Sequence, residues 1–170
     1  ISYYLSEEYH SGGELQTSNY GSFINPIVEL SKTTFDDYSG KNFTTNQELT
    51  NWSLIYRMPE NCFQKCADEI YLIRQVNIAL GKDMNRPQRV ILLNSSISFS
   101  EIEDIVTKYP KSVVVKNNSS TFINEINKIN DRHVLLLSDP LGNVILGYDE
   151  GFEGKKLLKD IKKLLKLSKI

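Results

Sequence analysis

Residues 52–66 read Trp-Ser-Leu-Ile-Tyr-Arg-Met-Pro-Glu-Asn-Cys-Phe-Gln-Lys-Cys, and this stretch decides the fold. Trp52 to Arg57 is rich in β-branched, aromatic and aliphatic side chains and predicts a strand. Met58-Pro59-Glu60-Asn61 halts it, and Asn61 is a good N-cap for a following helix. That helix is predicted from about Cys62 to Leu80. Cys66, Ile70, Ile73, Val76 or Asn77, and Leu80 recur at three-to-four spacing, and Gly81 supplies the stop. Cys62 and Cys66 therefore open a helix directly after a strand.

The same alternation continues towards the C-terminus. Arg89 to Leu93 is nearly all apolar, as a strand covered on both faces requires. Phe99, Ile102, Ile105 and Val106 mark a helix ending near Tyr109-Pro110, and Ser112 to Val115 a further buried strand. Phe122, Ile123, Ile126 and Ile129 mark a third helix. His133 to Leu137 and Val144 to Tyr148 are predicted to pair as a hairpin, because Pro140 and Gly142 suit a tight turn between them. Gly154 to Lys169 places Leu157, Leu158, Ile161, Leu164 and Leu165 on one helical face and lysines on the other. Such a helix could dock on a membrane surface, but the expectation is that its leucines cover the sheet.

Towards the N-terminus the pattern weakens. Residues 1–25 are rich in Ser, Gly, Tyr and Glu without a sustained period and read as an irregular extension. Ile27 to Leu30 and Asn42 to Thr44 are predicted to form a small hairpin around Ser39-Gly40. The resulting order is strand, helix, strand, helix, strand, helix, hairpin, helix. This is an α/β class, the thioredoxin-like order: a central mixed sheet flanked by helices over residues 26–170, with an N-terminal extension and hairpin. The cysteine pair falls where the first core strand hands over to its helix, at the carboxyl edge of the sheet where α/β proteins place their sites.

With 170 residues, 40% of them hydrophobic, the chain can bury one full core and not two. A net charge of −1 supplies no field to hold a polyanion, which excludes nucleic acid as an expected partner. No apolar run approaches the roughly 18 residues that cross a bilayer. The sequence opens on Ile1 rather than Met, as expected of a fragment or processed form that has lost a signal or anchor. The Asn-x-Ser/Thr triplets at Asn42, Asn51 and Asn118 are read as incidental in so Asn-rich a chain.

Two cysteines are too few for a disulfide scaffold, so their spacing carries the information. Residues i and i+4 of a helix lie on nearly one face with Cα atoms about 6 Å apart. A disulfide closes over roughly 4.4 to 6.8 Å, and the same two sulfurs could converge on a metal ion. At a helix start, orphan N–H groups and the dipole favour a thiolate at Cys62. Glu60, Asp68 and Glu69 oppose that charge, while Arg57 and Lys65 assist it. Two thiolates are soft ligands that suit Cu(I), and an added imidazole would admit Cu(II). His133, at the start of its strand, is the candidate third ligand; His10 lies in the irregular extension without such a placement. Thiol redox chemistry, copper handling and a static disulfide all remain open to these residues.

Three segments resemble one family. Asn19-Tyr-Gly-Ser-Phe-Ile-Asn-Pro26, the cysteine helix continuing as Cys66-Ala-Asp-Glu-Ile-Tyr-Leu-Ile-Arg-Gln-Val-Asn-Ile-Ala-Leu-Gly-Lys82, and Asp139-Pro-Leu-Gly-Asn-Val-Ile-Leu-Gly-Tyr148 are similar to the Sco/SenC group of thioredoxin-like proteins, in its proteobacterial Sco-related branch. The resemblance implies a domain anchored on the periplasmic face of a bacterial inner membrane. It also implies a role in assembling the CuA site of cytochrome c oxidase, with the oxidase copper-site subunit as partner. The family cysteines map onto Cys62 and Cys66, and its copper-binding histidine maps near His133. The prolines that usually follow the family cysteines are replaced by Phe63 and Ala67. No proline stands at Arg132, where thioredoxins proper keep a cis-Pro, which argues against a general-purpose disulfide reductase.

Overall fold

The computed structural model describes residues 20–30, 33–37, 42–44, 51–94, 96–117 and 120–168. The strand predicted at Trp52 spans Trp52–Met58 (β4), and the cysteine helix spans Phe63–Ala79 (α1). β5 (Pro87–Leu93), the helical turn Phe99–Ile102 leading into α2 (Glu103–Lys108), β6 (Val113–Asn117) and α3 (Ser120–Ile129) follow. The chain closes with the hairpin β7 (His133–Ser138) and β8 (Asn143–Asp149), then α4 (Gly154–Leu167). The expected thioredoxin-like order is present.

Together with β1 (Ser22–Glu29), β2 (Thr34–Asp37) and β3 (Asn42–Thr44), these strands form one eight-stranded sheet in the order β1-β8-β7-β4-β5-β6-β2-β3. β4, β5 and β6 run parallel, and the remaining neighbours pair antiparallel. Near-continuous apolar strands in the centre are explained by burial on both faces. Along β5, Ile91 and Leu93 join one core while Val90 and Leu92 join the other. The first core is closed by Cys66, Ile70, Ile73 and Val76 of α1 and by Leu157, Ile161, Leu164 and Leu165 of α4. The second is closed by Phe122 and Ile126 of α3. The lysine-rich helix thus spends its leucine face on the sheet, as expected. No helix among the described residues is long and apolar enough to cross a membrane.

The edges differ from expectation. Asn42–Thr44 does form a hairpin, but with Thr34–Asp37. Residues 27–30 instead lie in and after β1, which pairs with β8 at the opposite edge, Val28 opposite Val144. Ser39-Gly40, the expected turn, lies outside the described residues, as do His10 and the first nineteen residues of the extension. Two backbone N–H groups and one hydroxyl fix the entry to β1: Tyr20 and Gly21 donate through their amides, and Tyr148 through its phenol at 2.6 Å, to the Asp160 carboxylate on α4. Asp160 is wholly buried, and these donors satisfy it.

Candidate functional site

β4 is the strand from which the sheet grows both ways, to β5 and β6 on one side and to β7 on the other. Such a switch point leaves a crevice at the carboxyl end of the strand. Met58, Pro59, Glu60 and Asn61 line it beside Cys62. Asn61 adopts φ +56°, a left-handed turn that asparagine tolerates, so the helix N-cap falls on Cys62 and not on Asn61. The Cys62 side chain makes no cap bond.

Cys62 and Cys66 are joined by a disulfide with their Cα atoms 5.4 Å apart. The two sulfurs are not equivalent. Cys66 is wholly buried in the first core, whereas Cys62 packs only partly against it and lines an open groove. Cys62 Sγ lies 2.9 Å from the Pro59 carbonyl oxygen, to which the thiol of the reduced form would donate. Attack from outside therefore reaches Cys62 first, and the first turn of α1 supplies the N–H dipoles that favour its thiolate.

Neither cation expected to help that thiolate points at it. The Arg57 guanidinium donates to the His133 carbonyl and to Asn127 Oδ1 of α3, on the other side of the sheet. Lys65 is ion-paired with Glu150 at the surface. Glu60 accepts a hydrogen bond from the Ser96 hydroxyl, and Asp68 one from Gln64.

His133 is buried, with Nδ1 2.8 Å from Asp149 Oδ1. The pairing of β7 with β8 slips between His133 and Leu135, so Val134 and Leu135 both join the first core. The imidazole is turned to the opposite face and lies over Gly147, whose pairing partner Leu136 belongs to the second core. Cys62 and Cys66 are thus brought together and His133 is bonded elsewhere. Among the described residues no three His, Cys, Asp or Glu side chains converge as a metal site would need. For copper, the donor set fits in softness and falls short in number: two sulfurs suit Cu(I), and the third ligand is on the far face.

Sequence reasoning missed the pair beneath the cysteines. Glu69, one turn beyond Cys66 on the same helix face, is buried; it accepts a 2.8 Å bond from the Tyr56 hydroxyl and a 3.2 Å bond from the Gly151 N–H. Burial, and then the Glu69 carboxylate, push the Tyr56 hydroxyl far above its ordinary range, so it stays protonated and donates. The signal was a glutamate set on the apolar stripe of an otherwise regular helix.

A thioredoxin-like domain whose cysteine pair sits at a strand-to-helix junction belongs to the class of dithiol-bearing α/β proteins. More narrowly, residues 52–168 match the family described as transmembrane-like, thioredoxin-like, C-terminal domain, and the chain belongs to that family. No curated protein sequence matches it. Among solved structures it resembles yeast Sco1 with copper bound at 18% identity, covering 83% of this chain and 95% of that one with a TM-score of 0.64. It also resembles a SCO1/SenC family lipoprotein from Bacillus anthracis at 15% identity, over 83% and 98% of the two chains, with a TM-score of 0.60. A third is BsSco, described as a Sco family member of the cytochrome c oxidase assembly proteins with a disulfide switch, at 14% identity, over 84% and 96%, with a TM-score of 0.60. The resemblance to the Sco/SenC group holds for the fold.

Proposed function

We propose that this chain is a Sco-like assembly protein that works by thiol–disulfide exchange at Cys62 and Cys66. Cys62 is the attacking sulfur and Cys66 the resolving one. The observation that carries the reading is the asymmetry of the pair: a disulfide at the carboxyl edge of the sheet, one sulfur bordering an open groove and the other sealed in the core. The likeness to Sco structures supports oxidase assembly as the setting, with the cysteines of the CuA-site subunit as the substrate kept reduced. The lipoprotein among those relatives supports a membrane-tethered domain, and the periplasmic face is what the Sco/SenC resemblance of the sequence adds to it. Equilibration of the chain with glutathione redox buffers tests the reading. The expected potential lies above about −300 mV, where a pair remains exchangeable; a value well below that marks a static structural disulfide and overturns it.

A second reading, transfer of Cu(I), is favoured by the donor chemistry of the two sulfurs once reduced. The ion would then be cargo held by Cys62 and Cys66, with His133 as a third ligand only if its strand end turned over. The reduced chain is expected to hold one Cu(I) against a modest chelator, and either cysteine variant to lose it. Failure of the reduced chain to compete ends this reading and leaves the redox one standing.

A further inference from the structure

Beside Cys62 lies a groove of about 280 Å³. Its floor is apolar, made by Met58, Ile97, Ile102 and Ile105. Its rim carries three exposed carboxylates, Glu60 from the β4–α1 turn and Glu101 and Asp104 from the helical segment after β5. No lysine, arginine or histidine is among the described residues that line it. Glu60 accepts from the Ser96 hydroxyl and Glu101 from the Ser98 N–H, but with no cation among the described lining residues the three carboxylates give the groove a local negative field in a chain of net charge −1.

We propose that this groove is the docking surface for the segment of the partner protein that carries the exchanging cysteine, and that this segment is apolar with lysine or arginine flanking the cysteine. The inference rests on the dithiol reading and adds the partner's chemistry to it. An apolar floor buries aliphatic side chains next to the reacting sulfur, and the acidic rim selects cationic flanks over anionic ones. In the exchange, the Cys62 thiolate attacks one sulfur of the partner disulfide. A Cys62–partner bond forms as the partner's S–S bond breaks, and the second partner sulfur leaves as a thiolate that takes a proton from water. Cys66, having given its proton to water, then attacks Cys62 Sγ, closing the internal disulfide and releasing the first partner sulfur. Two electrons pass to the partner, and the pair is oxidised.

The test uses the reduced full chain and three disulfides. Two are short leucine-containing peptides whose cysteine is activated by thionitrobenzoate, one flanked by lysine and arginine, the other by glutamate and aspartate. The third is hydroxyethyl disulfide, small and neutral. The expected result is a rate about tenfold or more higher for the cationic peptide than for the anionic one at low salt. That ratio should fall towards one at about 1 M salt, and in the Glu101→Gln/Asp104→Asn variant, with each peptide rate divided by the same protein's rate with hydroxyethyl disulfide so that a change in the Cys62 thiolate fraction cancels. Equal peptide rates, or a ratio untouched by the double variant, overturn the groove assignment while exchange with the small disulfide leaves the dithiol reading intact. No exchange with any of the three overturns both. A monomer–dimer balance in sedimentation that the double variant shifts gives the groove to a second copy of the chain and overturns the proposal.

Discussion

Reducing the Cys62–Cys66 bond should cost the fold only about 2 kcal/mol. The bridge closes a ring over a sequence separation of four, and in the chain-entropy account a ring of about five residues removes roughly 7 cal/mol/K from the unfolded chain, or about 2 kcal/mol at 25 °C. Both cysteines are held in place by β4 and α1 irrespective of the bond, since Cys66 N–H donates to the Cys62 carbonyl at 2.8 Å as the first helical hydrogen bond. By linkage, folding stabilises the disulfide by the same amount, which for a two-electron couple is a shift of only about 45 mV. Such a bond remains within reach of thiol exchange. The assay is urea unfolding of the oxidised and reduced chain at equal pH, followed by Trp52 fluorescence and far-UV circular dichroism. A difference beyond about 4 kcal/mol, or a reduced chain that does not fold, would refute the reasoning and make the bridge a staple.

Three further outcomes are expected. Tyr56→Phe removes the hydroxyl that donates to the buried Glu69 carboxylate and should cost roughly 1.5–3 kcal/mol in the same unfolding assay; a loss under about 0.5 kcal/mol would contradict the pairing. Gly147→Ala would put a methyl group against the His133 ring, within 2.7 Å of Cγ and Nε2. It should destabilise by about 1–3 kcal/mol and shift the His133 ring proton resonances while leaving Cys62 reactivity unchanged; altered Cys62 reactivity would contradict the placement of ring and sulfurs on opposite faces. Burial raises the Asp139 carboxyl above its ordinary 3.8 despite N–H donors from Leu141 and Asn143. A carboxyl raised in the folded state favours folding while protonated, so its contribution is greatest below the unfolded value and is lost as pH rises through the folded one. The stability of the parent relative to Asp139→Asn should therefore fall as pH climbs from about 3.8, and a difference that rises with pH would contradict it.

The central fold was legible because burial on both faces writes itself as apolar runs, as in Val90 to Leu93, and helices write themselves at three-to-four spacing, as in Leu157 to Leu165. The edges were not. β3 is only three residues long, and β1, though eight, buries only Ile24 and Val28, so nothing local tells residues 22–29 to seek β8 over a neighbour in sequence. The helix start was displaced by one residue because Asn61 turns left-handed and hands the cap to Cys62. Within the site, the closeness of Cys62 and Cys66 was legible from their spacing and their place after the first core strand; their chemistry was not, since a reactive pair and a static disulfide share that pattern. The direction of His133 was not, because it depends on a slip in β7–β8 pairing that alternation cannot reveal. Tyr56 and Glu69 were hidden for another reason: a buried hydrogen bond between a strand and a helix leaves no period in the sequence.

The most direct measurement of the central claim is trapping of a mixed disulfide. In Cys66→Ser, the half-buried Cys62 bordering the groove has no resolving partner and should accumulate an adduct with glutathione disulfide, visible by mass spectrometry as a single modification on Cys62. In Cys62→Ser, the sealed Cys66 should acquire little or none on the same timescale. Preferential labelling of Cys66, or no adduct on either variant, would contradict the assignment of Cys62 as the attacking sulfur.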